Sequence, residues 1–290
     1  MSRTKILSLP VKALFASALW MACLLLVQGQ TPSTSMGRQT GVDNEYQVGA
    51  ILWTQSSAEY RALAYQSFVL ARLRLDADLR GHRNAIQRRS PKVSLPPAVI
   101  VDADETVLDN SRFQAELALR GLAYTPESWT SWCERAEAGA VPGAVDFLNY
   151  AITRGVKVFY ITNRRLPEKA GTLRNLRSLG FPNVTKATVM VREDGSTSSK
   201  ESRRKTVGNH YRIAMLIGDN LNDFNDDFAG KSIADRAAQV DRERGEFGSR
   251  FIVIPNPMYG DWENAIYQNK SRLTDEEKRA YRRASLRGLP

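Results

Sequence analysis

Five short apolar runs constrain the fold of this chain more than any other feature of its sequence. Each run holds four to six residues, is rich in Val and Ile, and is separated from the next by a stretch with helical character. Strands buried on both faces of a parallel sheet have this composition, because crossover helices cover both faces. The sequence therefore predicts an α/β fold with strands at 98–101, 156–161, 187–191, 213–217 and 251–254.

Helices are indicated around these runs by capping patterns. Pro142 opens a helical pattern that Gly155 closes, and Pro and Gly are favoured at these two helix ends. Upstream of the first strand, Ser56 is followed three residues later by Glu59, a capping-box pattern ahead of an amphipathic stretch. We therefore expect N-terminal helices within residues 45–90.

The stretch 111–141 is too long for a plain connection between two strands. It contains its own helix signals, with Thr125 as the expected N-cap, Pro126 at the first helical position and Gly139 after the helix end. These signals predict a small helical cap inserted after the first strand.

The first 29 residues have the features of an export signal. Basic residues precede the uncharged stretch 13–27, whose 15 residues fall short of the ~20 needed to cross a bilayer. We expect a signal peptide at 1–29, a polar linker at 30–44, and an exported protein in the periplasm or at the outer membrane or cell surface of a bacterium. Cleavage, a lipid on Cys23 and an uncleaved anchor all stay open, and the last two would attach the N-terminus to a membrane.

Composition excludes several kinds of site. With two cysteines and two histidines, the chain can build neither a disulfide framework nor a metal centre rich in Cys or His, so oxygens must hold any catalytic metal. The 41 Lys and Arg residues against 31 Asp and Glu favour anionic partners. The basic residues are scattered, so no nucleic-acid partner is expected. The basic C-terminal stretch 268–290 is expected to be a solvated helix or tail, with contact to a membrane surface or to nucleic acid as the alternative.

Polar side chains follow three of the predicted strands. Asp102 and Asp104 follow the first, Thr162 follows the second, and Asp219 and Asp223 follow the fourth. The carboxyl ends of parallel strands form the usual ligand crevice, so these groups should converge there. Clustered carboxylates repel one another and a divalent cation relieves that repulsion. Mg²⁺ is the natural candidate because it prefers oxygen ligands shared with a substrate phosphate.

The spacing of the first two carboxylates permits a division of labour. Residues two apart on an extended chain share a face about 6.5 Å apart, so Asp102 and Asp104 can act on one reacting centre. Asp102 can attack phosphorus while Asp104 gives a proton to the leaving oxygen and later takes one from water. The phosphate oxygens would need donors such as Thr162, the Asn163 backbone N–H and a lysine.

These segments, in this order, resemble the haloacid dehalogenase (HAD) superfamily and, more narrowly, its class C acid phosphatases, which include 5′-nucleotidases. The resemblance spans about residues 44–267, the extent expected for one phosphatase domain at 45–267. It implies a Rossmann-like parallel sheet flanked by helices, with a small helical cap. The matching segments are 57–64, 102–110, 141–147, 162–164, 194–200, 218–224 and 255–262.

The resemblance also implies roles for individual residues. Asp102 matches the nucleophile and Asp104 the general acid and base. Thr162 and Lys200 match phosphate-binding residues. Lys205 lies one helical turn further on and is the alternative lysine; Lys200 is preferred only because it fits the family pattern.

Metal and base-binding roles are implied in the same way. Mg²⁺ would be ligated by Asp102, the Asp104 backbone carbonyl and Asp219, with Asp223 supporting its water shell. Trp129 and Tyr259 match aromatic residues that flank a nucleobase in this family.

The chain is therefore expected to be an exported, Mg²⁺-dependent acid phosphatase. It would hydrolyse small phosphate monoesters, including nucleoside 5′-monophosphates, through an aspartyl phosphate. The alternative is a non-catalytic surface-binding protein that retains the HAD fold. The sequence predicts no oligomeric state.

Overall fold

The computed structural model describes residues 43–81 and 95–289. The expected signal peptide at 1–29, Cys23, most of the linker and residues 82–90 lie outside the described residues. Within the described ranges, no helix is both long enough and apolar enough to cross a bilayer.

A parallel sheet with helices on both faces organises the described residues. Its strand order is β5-β4-β1-β6-β7, which confirms the predicted α/β class. The helices are α1 (Glu45–Ser56), α2 (Ala58–Gly81), α3 (Ser111–Arg120), α4 (Pro126–Arg135), α5 (Ala144–Thr153), α6 (Lys169–Ser178), α7 (Glu201–Gly208), α8 (Ile233–Arg242), α9 (Asp261–Ile266) and α10 (Asp275–Ala284). The strands are β1 (Pro97–Val101), β2 (Leu108–Asp109), β3 (Gly139–Ala140), β4 (Lys157–Arg165), β5 (Val189–Arg192), β6 (Arg212–Gly218) and β7 (Phe251–Val253).

Alternating side chains of the central strand β1 fill two separate cores. Val99 and Val101 point into the larger core, which helices α2 and α5 cover, whereas Ala98 and Ile100 point into a smaller core on the other face. All four side chains are buried, because successive residues of a strand face opposite sides of a sheet that is covered twice.

Several predicted boundaries differ from the structure by one to four residues, and two of them have a clear cause. Strand β4 continues to Arg165, four residues beyond the predicted end, because Arg165 still pairs with Arg192 of β5. The second helix is capped by Ser57 rather than Ser56, since the Tyr60 N–H donates to the Ser57 hydroxyl at 3.0 Å. Ser56 is instead the last residue of α1.

Helices α3 and α4 occupy the stretch that the sequence assigned to a cap. Thr125 caps α4 as predicted, because its hydroxyl accepts from the Ser128 N–H. The predicted stop at Gly139 is wrong: Ala136 ends the helix with a left-handed φ of 55°. Gly139 instead lies in β3 and pairs with Asp109 of β2 in a short antiparallel ribbon.

Helix α6 packs against the end of α4 at a glycine. A Cβ atom on Gly171 would overlap the backbone carbonyl of Cys133 and crowd Glu134, so the two helices approach more closely than any side chain allows. Cys133 is buried in this contact, and burial raises the pKa of its thiol to about 12.

The last described helix is attached to the first described residues. The Arg279 guanidinium pairs with Asp43 at 2.7 Å, and the Arg282 guanidinium lies 3.7 Å from the ring centroid of Tyr46. The side chains of α10 are not buried. The basic C-terminal stretch thus forms a helix on the surface, held through its arginines.

The close approach at Gly171 predicts a stability defect for the smallest possible side chain. We expect Gly171→Ala to lower the free energy of unfolding by about 1–3 kcal/mol, because the added methyl group forces the two helices apart. Urea denaturation followed by circular dichroism measures this change. Gly49→Ala is the matched control: nothing lies within 4 Å of its new methyl group in α1, so stability should stay level or rise by up to about 1 kcal/mol. A Gly171→Ala protein as stable as the wild type would contradict the packing described.

Candidate active site

The carboxyl ends of three adjacent strands place the candidate site at one edge of the sheet. Val101 of β1 pairs with Tyr160 of β4 on one side and Ile217 of β6 on the other. The Asp102 N–H extends this ladder by donating to the Ile217 carbonyl at 2.9 Å. Asp102 therefore leaves the sheet between the ends of β4 and β6, the strands that carry Thr162 and precede Asp219.

Three carboxylates from two strand ends form one cluster. Each of Asp102, Asp219 and Asp223 offers a carboxylate oxygen within 4.8 Å of the others. Burial, followed by the charge of Asp223, raises the pKa of Asp219 to about 7. Burial also raises the pKa of Asp102 well above its usual range, and the neighbouring carboxylates act in the same direction.

Lys200 supplies the opposite charge. Its ammonium donates to Asp102 and, at 2.6 Å, to Asp223, and its side chain is only 6% exposed. Burial disfavours the ammonium, but the two carboxylates outweigh burial and raise the pKa of Lys200. The alternative lysine, Lys205, is 67% exposed and pairs with Glu201 at 3.4 Å. The structure therefore brings Lys200, and not Lys205, to the carboxylates.

Close backbone packing fixes the loop that carries Asp223. A Cβ atom on Gly218 would overlap the Asp223 side chain, so a glycine is needed at the end of β6. The second Asp223 oxygen accepts from the Asn220 N–H at 3.0 Å. Beneath the loop, the buried Arg204 guanidinium donates to the carbonyls of Asn222 and Asp223 at 3.2 and 3.0 Å.

Asp219 is oriented by two partners that the sequence interpretation did not assign. The Thr106 hydroxyl donates to one carboxylate oxygen at 3.1 Å, and the Asn256 amide donates to the other at 2.8 Å. Both residues lie within segments that carry the family resemblance, and this match is the sequence feature that could have identified them as site residues.

The Asp104 carboxylate is not part of this cluster and is held by other donors. Arg164 donates to it through Nε at 2.9 Å and through a terminal nitrogen at 2.7 Å. The Asn110 amide donates at 3.0 Å and the Thr162 hydroxyl at 3.2 Å. Arg164 belongs to the Thr-Asn-Arg segment of the sequence, but nothing in the sequence assigned it a partner. The metal role expected of the Asp104 backbone carbonyl stays a prediction.

The two expected phosphate-binding residues at the end of β4 lie in different surroundings. Thr162 is fully buried, and its hydroxyl also accepts from the Arg164 N–H at 3.1 Å. The Asn163 side chain is exposed and accepts from Arg203 at 2.8 Å. A second Arg203 nitrogen donates to the Thr162 carbonyl, which fixes helix α7 to the end of this strand.

Trp129 belongs to the aromatic packing of the cap. It is 9% exposed, and its ring centroid lies 5.2 Å from that of Phe113 in an edge-on contact. The Arg164 guanidinium lies 5.3 Å from the same centroid, so Trp129 borders the Asp104 network. Its role in stacking on a base stays a prediction.

Tyr259 approaches the site from the loop after β7. Its hydroxyl donates to Glu105, a buried residue whose left-handed φ of 56° turns the chain directly after Asp104. Burial, then the charge of Asp104, raises the pKa of Glu105 well above its usual range. The Asn110 N–H also donates to Glu105 at 2.9 Å. Glu105 thus links the late loop to the first strand end, a role that the sequence did not indicate.

The donor set fits a divalent cation. All three clustered groups are carboxylates, the ligand type that hard cations such as Mg²⁺ select. Clustered carboxylates, an ammonium and a further carboxylate outside the cluster are compatible with phosphoryl transfer, because that reaction depends on positioning and on neutralising charge.

Comparison with known proteins assigns the chain to a family. The sequence model of one protein family, the HAD superfamily, subfamily IIIB (acid phosphatase), matches residues 38–262. The structure of the class C acid phosphatase from Bacillus anthracis is similar to this chain, with 38% sequence identity and a TM-score of 0.78. The match covers 85% of this chain and 99% of the phosphatase chain. A second structure of that phosphatase, with tungstate bound, has the same coverage and identity and a TM-score of 0.79.

Curated plant proteins are more distant. The stem 28 kDa glycoprotein of Glycine max is 25% identical over 165 residues, which are 55% of this chain and 58% of its own. Acid phosphatase 1 of Solanum lycopersicum is 25% identical over 164 residues, 55% of this chain and 57% of its own. This chain thus spans less than three fifths of the length of these relatives.

The buried position of Lys200 predicts a stability defect that a metal can relieve. With chelator present, we expect Lys200→Met to lower the free energy of unfolding by about 3–5 kcal/mol, because Asp102 and Asp223 lose their buried counter-charge. Excess Mg²⁺ should recover part of this loss, since a divalent cation neutralises the same carboxylates. Chemical denaturation in EDTA and in Mg²⁺ measures both effects.

Lys205→Met is the control for this experiment. Because Lys205 is exposed, the free energy of unfolding of this variant should stay within about 0.5 kcal/mol of the wild-type value. Equal losses for the two variants would show that the buried ion pairs do not carry the effect.

Proposed function

The chain belongs to the HAD superfamily, subfamily IIIB, the acid phosphatase family, and on this basis we propose that it is an exported, Mg²⁺-dependent phosphomonoesterase. The observation that carries the proposal is the convergence of Asp102, Asp219, Asp223 and Lys200 at the carboxyl end of the sheet. Burying three like charges together is costly, and a fold that only binds surfaces has no need of such an arrangement.

Asp102 is the nucleophile of the proposed reaction. One of its carboxylate oxygens attacks phosphorus, and the bond from phosphorus to the ester oxygen breaks. Asp104 gives its proton to that leaving oxygen, so an alcohol departs and an aspartyl phosphate stays on Asp102. Lys200, which contacts Asp102, is placed to neutralise phosphate oxygens near this carboxylate.

Water completes the proposed cycle. Asp104, now a carboxylate, removes a proton from water as the water oxygen attacks the phosphoryl group. The bond between phosphorus and Asp102 breaks, phosphate leaves, and Asp104 is protonated again. Asp102, Asp219, Asp223 and the Asp104 backbone carbonyl would hold or support Mg²⁺, which when bound supplies positive charge that offsets the phosphate oxygens.

The expected phosphate donors fit this scheme. The Thr162 hydroxyl and the Asn163 N–H lie at the end of β4, the strand directly beside β1. The Bacillus anthracis phosphatase structure with tungstate bound supports an oxyanion ligand for this family, because tungstate is tetrahedral like phosphate.

Nucleoside 5′-monophosphates are included in the proposed substrates. Tyr259 contacts Glu105, next to Asp104, and Trp129 lies against Arg164, which binds Asp104. Both aromatic residues thus border the site where the leaving group would lie, and every base has a face on which an aromatic ring can stack.

Export is proposed from the sequence alone. Residues 1–29 combine a basic start with an uncharged stretch of 15 residues, the pattern of a secretory signal. Pulse labelling of the full chain in a bacterial host, followed by fractionation, would test it: a cytoplasmic product of unchanged size would contradict export.

Loss of the nucleophile or of the metal should abolish phosphate release. We expect Asp102→Asn to lower turnover of an aryl phosphate by at least about 1,000-fold, because an amide cannot attack phosphorus. EDTA should abolish turnover by the wild type, and Mg²⁺ should restore it. Released inorganic phosphate is the readout.

Asp227→Asn is the control, since Asp227 is an exposed carboxylate in the nearby turn and should leave turnover unchanged. If the wild type with Mg²⁺ releases no phosphate from aryl phosphates or nucleotides, the enzyme proposal is lost and the surface-binding alternative gains support.

The ring of Tyr259 should matter for nucleotides and not for small esters. We expect Tyr259→Ala to raise the KM for adenosine 5′-monophosphate by about 5- to 150-fold, the range that corresponds to one stacked base. The KM for glycerol phosphate, which has no ring, should change little. Tyr259→Phe keeps the ring and should retain the nucleotide KM, so an equal effect of Ala on both substrates would contradict stacking.

A further inference from the structure

We propose that Arg164 is a positioning residue that fixes the orientation of the Asp104 carboxylate toward the leaving group of the proposed reaction. This inference rests on the proposed function, because it assigns a role within that reaction. It concerns a side chain that has no role in the scheme above.

The hydrogen bonds from Arg164 to the two carboxylate oxygens of Asp104 are unequal. Nε and one terminal nitrogen of the guanidinium both donate to Oδ1, at 2.9 and 2.7 Å, and Nε reaches Oδ2 at 3.2 Å. A planar guanidinium with several donors fixes the rotation of a carboxylate, which a single ammonium cannot do.

Arg164 is itself held in place from three sides. Its second terminal nitrogen donates to the Thr172 hydroxyl at 3.1 Å, and the other contacts the Asn110 side-chain carbonyl at 3.3 Å. The Trp129 ring lies against the guanidinium. Trp132 donates to the same Asn110 oxygen at 2.8 Å, so the cap and helix α6 both support this arrangement.

The burial of Arg164 separates it from any substrate. Its side chain is 1% exposed, whereas the Asp104 side chain is 19% exposed. Asp104 therefore lies between Arg164 and the open part of the site. Arg164 does not itself face a substrate and acts on the reaction through Asp104, and for this reason it is a positioning residue rather than a catalytic one.

The two oxygens of Asp104 differ in the donors they receive. Oδ1 accepts from both Arg164 nitrogens and from the Asn110 amide at 3.0 Å, so three donors share its two lone pairs. Oδ2 receives only the longer contacts from Arg164 Nε and the Thr162 hydroxyl, both at 3.2 Å. Oδ2 therefore accepts fewer and longer hydrogen bonds than Oδ1.

This asymmetry indicates which way the Asp104 carboxylate faces. Thr162, an expected phosphate donor, contacts Oδ2, so Oδ2 lies toward the end of β4, where the phosphate would lie. Rotation of the Asp104 carboxylate would turn Oδ2 away from that position.

Leaving-group dependence tests this role. A proton donor matters for an ester whose leaving oxygen is basic and hardly matters for one whose leaving oxygen is stable as an anion. We expect Arg164→Met to lower kcat/KM for phenyl phosphate by about 100-fold and for 2,4-dinitrophenyl phosphate by less than about 5-fold. The ratio kcat/KM is used because it reports phosphoryl transfer to Asp102 and not the later hydrolysis.

Two further variants complete the experiment. Arg164→Lys keeps the charge, guards against a misfolded Met variant and should also favour the dinitrophenyl ester, because an ammonium cannot fix the carboxylate. Arg165→Lys is the matched control from the next residue, since Arg165 binds Thr130 and Glu168 and does not touch Asp104. It should affect both esters by the same factor.

The outcomes separate this inference from the proposed function. If the wild type hydrolyses neither ester, the phosphatase proposal fails. If the wild type hydrolyses both and the folded Arg164 variants lose both by one factor, Arg164 only stabilises the fold and the positioning role is overturned.

Discussion

The ion pairs of one buried lysine hold the centre of this structure together. Lys200 lies between Asp102 and Asp223, which come from the ends of two neighbouring strands, and without its charge these carboxylates would repel one another in surroundings with little water. The backbone is shaped around this contact. Gly218 has no side chain because Asp223 occupies that space, and Arg204 supports the same loop through its carbonyls.

A second buried cation organises the other half of the site. Arg164 binds Asp104 and is enclosed by the aromatic packing of the cap and by Thr172 of helix α6. The carboxylates are thus divided into two groups, each with its own positive partner. That division allows two aspartates only two residues apart to have different surroundings, which is the physical condition for giving them different chemical tasks.

Local patterns predicted the parts of the molecule that depend on local physics. The five strands follow from their composition, and the capping of α4 by Thr125 follows from one hydroxyl and the N–H three residues later. The convergence of Asp102, Asp219 and Asp223 follows from the rule that parallel strands end at one edge. Ser57 replaced Ser56 as the cap because the Tyr60 N–H donates to the Ser57 hydroxyl. Gly139 does not end α4 because it pairs with Asp109 in the ribbon of β2 and β3, and Ala136 ends the helix instead.

The contacts of Arg164 and the choice between Lys200 and Lys205 could not be predicted in this way. Lysines five residues apart on the chain are equivalent until the orientation of α7 buries one and exposes the other. The partner of Arg164 is 60 residues away in sequence, and their meeting depends on where the sheet, α6 and the cap come together. Such long-range contacts leave no periodic signal in a single sequence.

The buried thiol of Cys133 has a consequence for the proposed export of the chain to an oxidising compartment. In the folded chain the thiol of Cys133 is buried in the larger core and keeps its proton, so it is a poor target for disulfide exchange. Only a chain still in the course of folding would present it to oxidants. Closure of the core around Cys133 therefore also ends the period in which wrong crosslinks between molecules can form.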